Sequence, residues 1–314
     1  MYIGVDLGGT NIAAAIVDES GVIKKTVSIP TETKGGHASV IQGIISACAE
    51  LLKDTDESPK SIGIGVPGAV RDDIGMVVFT PNLPLKHVYM AKEISERFGC
   101  PVRLGNDANC AALGEVVAGS AKGMKNVTMI TLGTGLGGGF IIDGKLHTGL
   151  SGSAGELGHM VIFSGGRDCG CGRKGCWESY ASATGLKITA TQFLEDRKDS
   201  LIWELCSGNL EKLNGRIIFD AYRKADPVAV LIVNQYISHL AVGIVNIINL
   251  LEPELLCVGG GISDAWDCIE EPLKAAVDSE RFARFSDGTA EMKIAKAELG
   301  NDAGIIGAAM LGIQ

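Results

Sequence analysis

The chain has 314 residues and a formal net charge of −9 at neutral pH, which argues against non-specific binding to nucleic acid or to an anionic membrane surface. Hydrophobic residues make up 46% of it and aromatic residues 5%, as in a globular protein, and its length allows two domains with full cores. Its 43 glycines are about twice the usual share, and they fall in predicted turns rather than in low-complexity runs.

The sequence predicts a cytoplasmic protein without a membrane anchor. The first residues, MYIGVDLGG, have the pattern of a strand and a turn, not that of a secretory signal. The most apolar window, Ile237–Leu251, contains His239, Asn246 and Asn249, so we do not expect it to span a membrane. Nine clustered cysteines, an odd number, suit a reducing compartment better than a disulfide framework.

A β-meander is predicted at the start of the chain. Tyr2–Val5, Ile12–Val17 and Val22–Ile29 have strand patterns. The first turn, Asp6-Leu7-Gly8-Gly9-Thr10-Asn11, is rich in glycine and contains a hydroxyl, so its backbone N–H groups can cradle a phosphate. A plain hairpin turn would have the same composition, and this motif alone leaves both functions open.

Helices and strands alternate over the next hundred residues. Apolar periodicity predicts helices at Ala38–Lys53, Met90–Phe98 and Cys110–Ala118, with strands at Ser61–Val66 and Pro101–Leu104. Asn82 lies in a rigid loop between two prolines. Asp107 lies within Gly105-Asn106-Asp107-Ala108-Asn109, where a strand ends and a helix begins.

The meander recurs 125 residues later. Asn126–Leu132 and Phe140–Ile142 have strand patterns, and the run Gly133–Gly139 between them is predicted to be a turn. At this offset residues 6–9 align with residues 131–134. We therefore predict a duplicated module whose two glycine-rich turns hold a nucleotide from both sides.

Residues 155–178, GELGHMVIFSGGRDCGCGRKGCWE, concentrate metal-ligand chemistry in one short segment. Cys169, Cys171 and Cys176 follow a Cys-x-Cys-x₄-Cys pattern, and His159 lies ten positions upstream. Thiolate and imidazole are the ligands that Zn²⁺ prefers, and four of them close a tetrahedral site, so we predict a structural zinc. The alternative is a set of ordinary reduced thiols beside a hydrogen-bonded histidine.

The C-terminal third continues the alternation, which marks an α/β architecture. Helices are predicted at Trp177–Ala190, at Pro227–Leu251, near Asp264–Val277 and at Ala303–Leu311. Strands are predicted at Glu254–Val258, which leads into three glycines, and at Met292–Ala295.

Five of these motifs together resemble the ROK family of bacterial sugar kinases and repressors, within the actin-like ATPase superfamily, and the glucokinases in particular. They are Asp6–Asn11, Gly105–Asn109, Leu132–Gly135, Glu156–His159 and Cys169–Glu178. The resemblance covers essentially the whole chain. It implies an α/β fold of two RNase H-like domains, with sugar and ATP meeting in the cleft between them. We expect residues 1–120 and 297–314 to form the N-terminal domain, and residues 121–296 the larger one.

The resemblance also implies the roles of individual residues. Asp107 would be the general base that accepts the proton of the sugar's primary hydroxyl. The sugar would be held by Asn82, Asn106, Asp107, Glu156, His159 and Glu178. ATP would contact Gly8, Gly9, Thr10 and Asn11, then Gly133, Thr134 and Gly135, and, at its nucleoside, Gly259, Gly260 and Gly261. Mg²⁺ would be held near Asp6 through water, and zinc by His159, Cys169, Cys171 and Cys176.

Structural roles for several of these residues stay open. Asp107 can be a helix N-cap, and Asn82 can be a turn former. Glu156 and Glu178 can be solvated loop charges, which is the usual state of an isolated glutamate.

The expected reaction is phosphorylation of glucose at its 6-hydroxyl by ATP. Kinases for N-acetylmannosamine, fructose or allose share the expected fold, so fold analogy leaves them open. A sugar-responsive repressor would need a DNA-reading module ahead of the core. Asp6 follows Met1 by five residues, so we expect no nucleic-acid partner. The resemblance further suggests a homodimer.

Overall fold

The computed structural model describes residues 1–282 and 292–313, and the chain forms two compact units. Unit 1 contains Met1–Met129, Gly138–Gly155 and Ala297–Gln314. Unit 2 contains Ile130–Gly137 and Glu156–Lys296. The domain boundaries given above, at residues 120 and 297, stay a prediction.

The regular elements alternate along the chain as an α/β pattern requires. The strands are β1 (Tyr2–Leu7), β2 (Asn11–Val17), β3 (Ile23–Pro30), β4 (Ile62–Val66), β5 (Ala69–Arg71), β6 (Met76–Phe79), β7 (Lys86–Val88), β8 (Val102–Asn106), β9 (Val127–Leu132), β10 (Leu136–Ile142), β11 (Lys145–His147), β12 (Leu255–Gly259) and β13 (Lys293–Lys296). The helices are α1 (His37–Leu52), α2 (Met90–Phe98), α3 (Asp107–Ala118), α4 (Glu178–Ala181), α5 (Ala183–Leu194), α6 (Leu201–Leu205), α7 (Gly215–Arg223), α8 (Pro227–Leu251), α9 (Trp266–Glu280) and α10 (Asp302–Met310).

Two five-stranded sheets share one strand order, which supports the predicted duplication. The first has the order β3-β2-β1-β4-β8, and the second has the order β11-β10-β9-β12-β13. In the first, β1, β2 and β3 are antiparallel, whereas β4 and β8 continue the sheet parallel to β1. In the second, β10 and β11 are antiparallel and β12 and β13 are parallel. Each sheet is therefore a meander extended by parallel strands.

Helix α10 ends the regular structure of the chain, yet it lies in the core of unit 1. Seven of its nine residues are buried. It packs so closely on the first sheet that a Cβ added at Gly4 or Gly63 would overlap a carbonyl oxygen of the helix. Nearby, the fully buried Glu115 of α3 accepts hydrogen bonds from the backbone N–H groups of Glu298 (3.2 Å) and Leu299 (2.9 Å). The last residues are thus an integral part of unit 1.

Helix α8 forms the centre of unit 2. It begins after Asp226, whose side chain accepts a hydrogen bond from the backbone N–H of Ala229 (2.8 Å). By length and composition this helix is able to cross a membrane, but 67% of its most apolar window is buried inside the protein, as in a core helix. His239, a polar residue of this helix, is itself buried in the core.

The structure differs from the predicted elements at several places. The helix predicted over Trp177–Ala190 is divided at Ser182, whose hydroxyl accepts a hydrogen bond from Gly185 N–H (3.0 Å) and starts α5. Strand β10 begins at Leu136, so part of the predicted glycine turn is extended strand. Helices α6 and α7 and the three-stranded sheet β5-β6-β7 were not predicted, because these segments are only three to nine residues long.

Candidate active site

Asp6 and Asp107 lie at the same edge of the first sheet. The register of the parallel strands aligns Asp6 of β1 with Gly65, and Gly65 with Gly105 of β8. Adjacent strands lie about 4.8 Å apart, so Asp6 and Gly105 are roughly 10 Å from each other. Asp107 follows two residues after Gly105, at the carboxyl ends of the strands, where ligands bind in sheets of this type.

Asn106, and not Asp107, caps helix α3. Its Oδ1 accepts hydrogen bonds from the backbone N–H groups of Ala108 (2.9 Å) and Asn109 (3.2 Å). Its Nδ2 donates to the carbonyl of Gly68 (3.1 Å). Asp107 is the first residue of the helix, and it is exposed. The N-cap alternative for Asp107 is therefore wrong.

Two hydrogen bonds hold the first glycine turn in place, and three of its residues are exposed. Gly8 N–H donates to the carbonyl of Asn11 (2.9 Å), and the Thr31 hydroxyl donates to the carbonyl of Gly8 (2.8 Å). Gly9, Thr10 and Asn11 are exposed, and a Cβ added at Gly9 would meet no atom of the described residues within 4 Å. Beside this turn, burial raises the pKa of Asp6.

Asn82 lies in the loop that joins β6 and β7, and its side chain is exposed. The buried Thr80 hydroxyl donates to the carbonyl of Leu83 (2.7 Å) and holds the loop closed. The geometry of this loop agrees with the turn-forming role of Asn82 and leaves its side chain accessible.

His159, Cys169, Cys171 and Cys176 come together in unit 2, with their potential ligand atoms all within 4.8 Å of one another. Cys171 Sγ and Cys176 Sγ are 3.7 Å apart, and Cys169 Sγ is 3.6 Å from His159 Nδ1. Zn–S bonds of about 2.3 Å in a tetrahedron place sulfurs about 3.8 Å apart. The four side chains thus fit a zinc ion in both chemistry and spacing.

The two glutamates of this loop have different surroundings. Glu156 Oε2 lies 4.0 Å from His159 Nε2, the ring nitrogen that faces away from Cys169, and half of the Glu156 side chain is exposed. Glu178 Oε2 accepts a hydrogen bond from the backbone N–H of Leu136 (2.9 Å), and its Oε1 lies 3.8 Å from Cys169 Sγ. Glu178 therefore links residues 155–178, which we call the cysteine loop, to the second glycine turn. This link was not predicted from the sequence.

The cysteine loop is anchored to the core of unit 2 by two side chains. Trp177 is fully buried, and its Nε1 donates to the carbonyl of His239 (2.9 Å). The Arg167 guanidinium donates to the Ser179 carbonyl (3.1 Å) and to Gln192 Oε1 (2.9 Å). Because these bonds reach helices α5 and α8, the loop is held rigidly even though it has little regular structure.

The second glycine turn lines a cavity of about 840 Å³ within unit 2. Gly133, Thr134 and Gly261 are among its lining residues. Gly259 and Gly260 do not line the cavity, and Gly135 instead faces the Glu178 carboxylate. Gly260 has a φ of 82°, and a Cβ there would lie 2.6 Å from backbone atoms of Leu132, so the close approach of these segments requires glycine.

Sequence reasoning missed the wall of this cavity that α7 provides. This wall carries Asn214, Arg216, Asp220 and Arg223. Arg223 forms a bidentate ion pair with Asp267 (2.7 and 2.8 Å), which fixes it to α9. An Asn-Gly pair before an apolar period is a helix-start signal that was available, because Asn214 caps α7.

Comparison with known proteins shows which family the chain belongs to. The ROK family pattern matches residues 2–314. A glucokinase of Halalkalibacterium halodurans is 38% identical, over 99% of this chain and 94% of that protein. An N-acetyl-D-glucosamine kinase of Haemophilus influenzae is 32% identical over 99% of both chains. The crystal structure of a ROK family glucokinase from Streptomyces griseus in complex with glucose and AMPPNP has a TM-score of 0.80 and 36% identity, covering 99% of this chain and 98% of that one.

The fold is that of the two-domain α/β phosphotransferases of the actin-like ATPase and hexokinase superfamily. The chain belongs to the ROK family, and the resemblance drawn from its five motifs is confirmed.

Proposed function

We propose that this protein transfers the γ-phosphoryl group of ATP to the primary hydroxyl of a hexose, and that the hexose is glucose. The observation that carries the proposal is the exposed carboxylate of Asp107 at the carboxyl edge of the parallel strands, in a ROK family chain whose helix cap is its neighbour Asn106. Phosphorylating an alcohol requires an oriented hydroxyl and a carboxylate that accepts its proton. Identities of 38% and 36% to glucokinases support glucose.

Asp107 accepts the proton of the 6-hydroxyl as that oxygen attacks the γ-phosphorus and ADP leaves. It lies in the first turn of α3, where the helix dipole is positive. Asn106 donates to the sugar through the second hydrogen of Nδ2, and Asn82 contacts it from its loop. Glu156, Glu178 and His159 bind the remaining hydroxyls, since carboxylates accept from vicinal diols.

ATP binds in unit 2 in the cavity behind Gly133, Thr134 and Gly261, with Gly135, Gly259 and Gly260 shaping its walls. Gly8, Gly9, Thr10 and Asn11 of unit 1 contact the phosphates through exposed backbone and hydroxyl groups. The Asp6 carboxylate would hold Mg²⁺ through water, and the ion would neutralise phosphate charge. Burial that raises the pKa of Asp6 suits a carboxylate whose charge is balanced by a cation.

Zinc is held by His159, Cys169, Cys171 and Cys176 and has a structural role, because four protein ligands leave no open position. His159 would hold zinc through Nδ1, which lies 3.6 Å from Cys169 Sγ, and would leave Nε2 for Glu156 and the sugar. A bound ion would thereby fix the loop that carries three proposed sugar ligands, Glu156, His159 and Glu178.

A coupled assay of ADP release with ATP, Mg²⁺ and a panel of hexoses tests the function. We expect the highest kcat/KM with glucose and formation of glucose 6-phosphate. Failure of pure, zinc-loaded protein to phosphorylate any hexose would refute the proposal. The matching N-acetyl-D-glucosamine kinase makes another sugar the second candidate, and N-acetylmannosamine, fructose and allose belong in the same panel.

We further propose a cytoplasmic homodimer, which light scattering on purified protein tests.

A further inference from the structure

Asn109 carries a buried oxygen that the described part of the protein leaves without a partner. The residue is the third of helix α3 and is 2% exposed, and its Oδ1 has no hydrogen-bond partner among the described residues. A buried acceptor without a donor loses its hydration without replacement, and folded proteins keep few of them. The helix does not need this side chain at its start, because Asn106 is the cap.

The oxygen lies against two glycines of the same unit. A Cβ added at Gly139 of β10 would be 3.0 Å from Asn109 Oδ1, and one added at Gly155 would be 3.4 Å from it. Gly155 has a φ of 94°, a conformation that side chains disfavour. It immediately precedes Glu156 in the chain, so the backbone beside Asn109 is the backbone that leads to Glu156.

We propose that Asn109 is a positioning residue for sugar binding: in the sugar-bound enzyme its Oδ1 accepts a hydrogen bond from the backbone N–H of Gly155 and fixes the segment entering Glu156. The inference rests on the proposed role of Glu156 as a sugar ligand. Without sugar this oxygen has no hydrogen-bond partner among the described residues, and in the proposed bound state Gly155 N–H supplies the donor.

The decisive variant is Asn109→Leu, which keeps the approximate volume and removes the acceptor. We expect a melting temperature equal to or above that of the wild type, because an unpaired polar atom is removed. We expect the KM for glucose to rise about five- to tenfold, as for the loss of one hydrogen bond, and the KM for ATP to stay within about twofold. Asn109→Asp retains an acceptor oxygen and should stay close to the wild-type KM for glucose.

Ser61→Ala is the matched control. Ser61 Oγ is also buried in unit 1 with no partner among the described residues, and it lies just before β4. Its removal should change stability in the same direction as Asn109→Leu but leave both KM values unchanged.

Two outcomes would overturn the inference. One is a lower melting temperature with an unchanged KM for glucose, which would indicate a structural role such as binding a buried water. The other is an unchanged KM for glucose with a melting temperature equal to or above that of the wild type, which would show that the Asn109 acceptor does not support sugar binding. If Asn109→Leu does not fold, calorimetric binding of glucose to Asn109→Ala replaces it, and an unchanged Kd contradicts the inference. A wild type that phosphorylates no hexose refutes the proposed function instead, independently of the variants.

Discussion

Asn106 and Asp107 are neighbours in the sequence, and the start of helix α3 gives them different roles. Asn106 has extended backbone angles (φ −65°, ψ 147°) and accepts two backbone hydrogen bonds, whereas Asp107 is exposed. Helix-cap preference alone cannot assign these roles, because Asn and Asp are equally good caps. The motif is therefore visible in the sequence. Only the backbone conformation shows that Asn106 is the helix cap and Asp107, the proposed base, is not.

Replacement of Asp107 tests the proposed base. Asp107→Asn keeps the shape of the side chain and removes its basicity, so we expect kcat to fall by about 10²-fold or more. The melting temperature should stay near that of the wild type, since the cap of α3 is intact. Steady-state kinetics with thermal unfolding measures both, and Asp56→Asn, an exposed loop residue, is the control. Near-normal kcat would remove Asp107 from the mechanism.

At the scale of elements, the cysteine loop was predictable and the large cavity of unit 2 was not. The four candidate zinc ligands lie within 18 residues, so their chemistry is visible in local spacing. The cavity is formed by Gly133, by α7 and by Gly261, which are separated by up to 128 residues. No local sequence pattern shows that these three segments are close in space, because only the fold brings them together.

The zinc prediction is tested by Cys176→Ser. Cys176 is fully buried and 3.7 Å from Cys171, so we expect the variant to lose the metal and melt at a lower temperature. Elemental analysis should give about one zinc per chain for the wild type. Cys206→Ser, at a buried cysteine outside the cluster, should retain zinc, and zinc-free wild-type protein of full stability would contradict the prediction.

Glu178 should affect both substrates, because it contacts the turn that lines the cavity as well as the cysteine loop. Glu178→Ala removes the acceptor of the Leu136 N–H bond (2.9 Å), so we expect the KM values for glucose and for ATP to rise together. Glu178→Gln keeps a carbonyl oxygen for Leu136 and should raise the KM for glucose more than that for ATP. An unchanged KM for ATP in Glu178→Ala would show that this hydrogen bond does not support nucleotide binding.

At the scale of the whole molecule, the duplicated strand order was predictable from two glycine-rich meanders 125 residues apart. The burial of individual polar residues, in contrast, was not predictable from the sequence. His239 looked like an interruption of an apolar helix, but it packs edge-on against Phe163 and Tyr180 in the core of unit 2. Its apolar neighbours come from a distant segment, so helical periodicity gives no sign of them.

His239 should make stability depend on pH. Burial, with a smaller effect of the Arg167 charge, lowers the pKa of His239 to about 4. The unfolded chain titrates near 6.5, so between these values it binds a proton that the folded chain does not. Stability therefore falls as pH decreases from about 6.5 and this loss levels off near 4, with at most on the order of 3 kcal/mol at stake.

Calorimetric melting from pH 4 to 7 measures this effect. The melting temperature of His239→Gln relative to the wild type should rise as pH falls, whereas His37→Gln, at an exposed histidine, should follow the wild type. Parallel curves for His239→Gln and the wild type would exclude His239 as the cause.

The burial of α10 has a consequence for synthesis on the ribosome. The first strands emerge early, but the helix that covers Gly4 and Gly63 follows all the other described helices and strands along the chain. We therefore expect unit 1 to complete its core only once α10 has left the ribosome, after the stretch from Glu156 to Lys296 has been translated. A stop codon shortly before Asn301 should yield a chain that chaperones retain and proteases degrade.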